Sequence, residues 1–135
     1  VIGLAHSGWR GTSKKMAAIM IEEMSKNFGT DSKDVIACIG PGICQDCYQV
    51  SGDVYEEFLK SFGKEDVESF FREDGKEHFR LSLWKANEKV LEDAGVLKEN
   101  IFTSNICTAC NPNLLYSHRI MGEMRGNLAA FLALK

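Results

Sequence analysis

Val1-Ile2-Gly3-Leu4-Ala5-His6-Ser7-Gly8-Trp9-Arg10-Gly11-Thr12 is the stretch on which the reading of this chain turns. Its first five residues are apolar and barely alternate, the pattern of a strand buried on both faces. A histidine follows, then a Gly-rich turn with Trp9 and Arg10, then helix-forming sequence from Thr12. A strand leading through a turn into a helix is the unit of α/β folds, and such sheets place ligands at the carboxyl ends of their strands. Gly8 and Gly11 let backbone approach a ligand, and the Arg10 guanidinium is a fork suited to phosphate or carboxylate. His6 and Arg10 therefore read as two parts of one site, although a strand-end histidine is also a common structural residue. Trp9 reads as core.

Downstream, Met16, Met20, Met24 and Phe28 step by four, with Ala17 and Ile21 on the same side. This predicts a helix over 12–28, capped by Thr12 or Ser13 and stopped by Gly29. Val35 to Ile39 is strand-like, and Gly40-Pro41-Gly42 breaks it. A helix is expected from Ser51 to about Phe62, and a short charged helix within Glu65 to Asp74. His78 to Leu81 reads as extended, and His78 as a surface residue. Ser82 caps a helix through Ala94, with Gly95 as its stop. Ile101 to Ser104 and Leu128 to Leu134 are expected strands, the latter buried. The elements make one α/β (α+β) domain over 1–135, with mixed β-sheets covered by helices.

Composition sets outer bounds. The 135 residues, 44% hydrophobic and 26% charged, suffice for one core. A net charge of −3 argues against a nucleic-acid surface. The longest apolar run is too short to cross a bilayer, so no membrane partner is expected. Five cysteines and no visible secretory signal fit a reducing cytoplasm. Because the chain opens with Val1 inside a strand, it is expected to be a portion of a longer protein.

Two groups remain as candidates for chemistry. Cys44-x-x-Cys47 and Cys107-x-x-Cys110 have the form of a structural four-cysteine zinc site. The long helical span between the pairs counts against it, and buried inert thiols are the preferred expectation. Arg10, Arg119 and Arg125 lie in or near loops where guanidinium groups hold anions, and Tyr116-Ser117-His118-Arg119 adds a phenol, a hydroxyl and an imidazole.

Taken together, ordered blocks resemble one family. Ala5-His6-Ser7-Gly8-Trp9-Arg10-Gly11-Thr12 resembles the AHAGWRGT signature of the YfiH/laccase-domain family, also described as polyphenol oxidase-like or as purine nucleoside phosphorylases. Gly40-Pro41-Gly42-Ile43 with Cys47-Tyr48-Gln49-Val50, then Leu81 to Val96, Cys107-Thr108-Ala109-Cys110-Asn111, and Tyr116-Ser117-His118-Arg119 with Gly122 and Gly126 resemble its further blocks in order. Cys44 stands where the family has Gly, and Ile120 where it has a second Arg.

The resemblance implies a YfiH-like fold and a zinc enzyme that cleaves purine nucleosides with phosphate, with possible adenosine deamination. It implies a metal held by two histidines and a cysteine, of which His6 matches one histidine; the others are expected upstream. His6 and Arg10 are then the catalytic candidates, with Arg10, Ser117, Arg119 and Arg125 for substrate or phosphate, Arg125 from its loop position alone because it does not match a family arginine. The alternatives are the older copper label, a laccase-like polyphenol oxidase, and a non-catalytic piece with a four-cysteine zinc site.

Overall fold

The computed structural model describes residues 1–135. Two small sheets and a helical layer share one core. Strands β1 (Ala37–Ile39) and β5 (Ile101–Thr103) pair in parallel, with Cys38 opposite Phe102. Strands β2 (Gln49–Ser51), β4 (His78–Leu81) and β3 (Phe71–Glu73) form an antiparallel sheet in the order β2-β4-β3. The mixed α/β architecture expected from the sequence is what the chain adopts.

Helices α3 (Gly52–Leu59) and α4 (Lys64–Phe70) back the antiparallel sheet. Phe58, Phe70 and Leu81 are fully buried between them. Tyr55 stacks on Phe79 at 4.4 Å between centroids, and Phe58 meets Phe71 edge-on at 5.2 Å. These rings bury large apolar areas, and aromatic edges and faces in contact add to that burial. Helix α5 (Leu83–Asp93) connects the two sheets and buries Ala86, Val90 and Leu91. The Ser82 hydroxyl accepts from the Lys85 amide, as an N-cap should. Gly95, at φ 90°, follows the helix and lets the chain turn left-handed.

Four expectations need correction. The helix expected over 12–28 is two: α1 (Trp9–Ser13) and α2 (Met16–Phe28), broken at Lys15 with φ 56°. Thr12 and Ser13 are buried within α1 and do not cap α2. Phe71–Glu73 is a strand instead of the end of a charged helix, because it completes the ladder on β4. The final α-helix is the short α6 (His118–Met121).

The fourth correction concerns both apolar ends. Val1–Ala5 and Leu128–Leu134 form no ladder with any strand of this chain. Val1 and Leu4 are 54% and 59% exposed, and Phe131 is 92% exposed. A strand needs another strand edge to pair with, and neither segment pairs with a strand of residues 1–135. The methionine stripe of α2 is half-buried under the first segment. Gly3 lies so close to Met20 that a Cβ there would stand 2.8 Å from its sulfur.

Candidate functional site

The loop that carries the opening motif is held by a buried amide. The Ser7 hydroxyl donates to Asn87 Oδ1 at 2.7 Å. Asn87 Nδ2 donates to Thr12 Oγ1 at 3.0 Å and to the Leu83 carbonyl at 2.8 Å. The Thr12 hydroxyl lies 3.0 Å from the Gly8 carbonyl, which accepts from it. Helix α5 thereby fixes both ends of Ser7–Thr12, the segment that presents Trp9 and Arg10. Asn87 reads as an ordinary helix-face residue in sequence. Its partners are 75 and 80 positions away, beyond any local signal.

An open cleft of about 440 Å³ lies beside that loop, lined in part by Trp9, Tyr48, Ser51, Asp53, His78 and Arg119. The Arg10 guanidinium lies over the Trp9 ring at 4.4 Å and that of Arg119 over Tyr48 at 5.4 Å, both within cation–π range. Arg119 also donates to the Gln49 carbonyl at 3.0 Å. Burial pushes the Tyr48 phenol up, and the nearby Arg119 and Arg10 charges oppose that shift. The Ser51 hydroxyl holds the Asp53 carboxyl below its ordinary range, and Arg10 adds to the effect. Arg10 and Arg119 therefore act on the same cleft.

The other sequence candidates sit elsewhere. His6 is exposed, and its Nε2 lies against Gly8, 3.1 Å from where a Cβ would stand. Ser117 is only 3% exposed and precedes α6. Arg125 is exposed and donates to Asn127 Oδ1 at 3.0 Å. Neither Ser117 nor Arg125 lines the cleft, whereas Tyr48 and Asp53, not singled out from sequence, do. Tyr48 was visible within the Cys47–Val50 block, but its role depends on Arg119 arriving from 71 residues away.

The cysteines overturn the expectation of scattered inert thiols. The Sγ atoms of Cys44, Cys47, Cys107 and Cys110 all lie within 4.8 Å of one another. They form the one group of three or more His, Cys, Asp or Glu side chains placed to share an ion. Burial pushes the Cys107 thiol up, but hydrogen bonds from the amides of Cys44 and Cys110 outweigh it and bring it down to about 7. Hydrogen bonding with Cys110, together with burial and Cys44, pushes Cys47 up to about 12.

The metals implied by the resemblance do not fit the histidines present. A catalytic zinc takes about three protein ligands. His6 offers one imidazole and joins no such group. Copper oxidases need clustered imidazoles, and His6, His78 and His118 do not gather.

Comparison with known proteins places this arrangement. The fold and site define a member of the laccase-domain class. All of residues 1–135 match the family model described as multi-copper polyphenol oxidoreductase laccase, and the chain belongs to that family. It is 31% identical over its whole length to purine nucleoside phosphorylase YlmD of Bacillus subtilis, covering 48% of that protein. It is 37% identical over 127 residues, 93% of this chain and 47% of the relative, to adenosine deaminase RL5 from an unknown prokaryotic organism. Its fold matches that of the Bacillus licheniformis protein YfiH with a TM-score of 0.80 at 32% identity, over 85% of this chain and 43% of that one. The chain thus spans about half the length of the curated relatives it matches. No helix is long and apolar enough to cross a membrane.

Proposed function

We propose that this chain carries the nucleoside- and phosphate-binding part of an enzyme that acts on purine nucleosides, by phosphorolysis and by adenosine deamination. The observation that carries the reading is a cleft lined by Arg119, Trp9 and Tyr48, with Arg119 over the Tyr48 ring and Arg10 beside the cleft over the ring of Trp9. The names of the relatives supply the substrate class.

In phosphorolysis a phosphate oxygen attacks the ribose C1′. The C1′–N9 bond breaks with its electron pair going to the purine, which takes a proton. Arg119 and Arg10 neutralise the phosphate and orient it, since guanidinium groups match its oxygens in paired hydrogen bonds. Trp9 and Tyr48 give the cleft flat apolar walls suited to a purine. Ser117 and Arg125 remain weaker candidates, because one is buried and the other bonds to its own neighbour. We propose His6 as a metal ligand only in company with groups outside residues 1–135.

The test uses the full-length protein. Arg119→Ala and Arg10→Ala should each raise the phosphate KM about 10-fold or more, the loss expected for a charge-assisted contact. Adenosine deamination, which consumes no phosphate, should change far less. An unchanged phosphate KM in both variants overturns the assignment.

A further inference from the structure

The geometry points to a structural zinc site formed by Cys44, Cys47, Cys107 and Cys110, separate from the cleft and independent of the reading above. Two loops supply it, one following β1 and one following β5. They are strapped together by a parallel bridge between Gly42 and Cys107, where the Thr108 amide donates to the Gly42 carbonyl at 3.0 Å. Each loop contributes a Cys-x-x-Cys pair, the ligand spacing of tetrahedral zinc sites.

The sulfur spacing is that of a single ion. A tetrahedral site with zinc–sulfur bonds near 2.3 Å sets its sulfurs about 3.8 Å apart. Cys47 and Cys110 are 3.6 Å apart, and Cys44 and Cys110 4.0 Å. A disulfide instead requires about 2.05 Å, and all five cysteines are free thiols. An iron–sulfur cluster would place inorganic sulfide between the thiolates and hold them farther apart. Four soft thiolates in a tetrahedron select zinc over the harder divalent ions.

The surroundings suit a metal thiolate. The amides of Cys44 and Cys110 donate to Cys107 Sγ at 3.2 and 3.4 Å, and Cys107 is buried. The first Cys-x-x-Cys loop is also braced from the antiparallel sheet. Arg80 donates to the carbonyl of Asp46, inside the first Cys-x-x-Cys pair, and Arg72 donates to the Asp46 carboxylate, both at 2.7 Å. Cys38, exposed on β1, lies outside the group and serves as an internal control. The site has a consequence for the cleft, because Cys47 immediately precedes Tyr48 and Gln49, the partners of Arg119. A zinc here fixes the loop that presents them.

The experiment is metal analysis of the full-length protein purified under reducing conditions. About one zinc per chain should disappear in Cys44→Ser and in Cys107→Ser and be kept in Cys38→Ser; a metal held with His6 is a separate ion, and His6→Ala should leave the four-cysteine zinc in place. Should the variants fold poorly, cobalt exchanged into the wild-type protein gives the answer without them: a charge-transfer intensity of about four thiolates per ion, against the one that a site of two histidines and a cysteine would give, supports the site. The proposal is overturned if the cobalt protein shows the charge-transfer intensity of no more than one thiolate. It is equally overturned if Cys44→Ser and Cys107→Ser keep the full wild-type zinc content, or if mass analysis of reductant-free protein finds two disulfides among the four residues and no metal there.

Discussion

Asn87 shows how one side chain can organise a functional loop from a distance. Its amide meets the hydroxyls of Ser7 and Thr12 and the Leu83 carbonyl, all within a nearly closed interior. Asn87→Leu keeps the volume but removes the amide's hydrogen bonds to both hydroxyls, which keep each other at 3.1 Å and the Gly8 carbonyl. A hydrogen bond contributes about 0.5–1.5 kcal/mol, so losing those to the two hydroxyls should lower the unfolding free energy by about 1–3 kcal/mol in denaturant titration. Lys15 offers the opposite case. Its left-handed φ of 56° is paid for at the α1–α2 junction, and glycine adopts that conformation without steric cost. Lys15→Gly should leave stability unchanged or raise it by up to about 1 kcal/mol, despite removing a side chain whose ammonium lies 5.0 Å from the Phe62 ring centre.

At the scale of elements, the antiparallel sheet is tied at one end by Asp74. Its carboxylate accepts from Gln49 Nε2 of β2 at 2.7 Å and pairs with Arg80 Nε of β4 at 2.6 Å. The Gln49 hydrogen bond, with Arg80 in support, holds its pKa below the ordinary 3.8. A depressed carboxylate pKa contributes stability that is complete above the unfolded value and is lost as pH falls through the folded one. Wild type should therefore lose stability below about pH 4 more steeply than Asp74→Asn, as followed by thermal midpoints across that range. Gly95 belongs to this scale as well. At φ 90°, with a Cβ position 2.5 Å from the Ser32 hydroxyl, Gly95→Ala should destabilise the end of α5 by about 1 kcal/mol or more.

For the whole molecule, the phenylalanine-rich centre between α3, α4 and the antiparallel sheet is the main store of stability. Phe58→Ala removes a ring with no exposed surface and should cost about 3–5 kcal/mol, read as a fall in the denaturant midpoint. That is a large fraction of the roughly 5–15 kcal/mol that holds a domain folded.

Much of this was legible in the residues themselves. The period of four in Met16–Met24, the Ser82 cap, the Gly29 and Gly95 stops and the strand character of Ala37–Ile39 and Ile101–Thr103 are local properties. They are set by neighbours three or four positions away, so the sequence alone determined them. The ordered motif blocks likewise determined the family. Tertiary structure decided what depends on distant partners. Val1–Ala5 and Leu128–Leu134 have strand composition, but a strand exists only where another edge pairs with it. Arg119 and Tyr48 became one wall of a cleft, and four thiols in two pairs 63 residues apart became one cluster, because β1 and β5 run side by side and deliver their following loops to the same place. Spacing along a chain cannot report that convergence; only the crossover between the paired strands produces it.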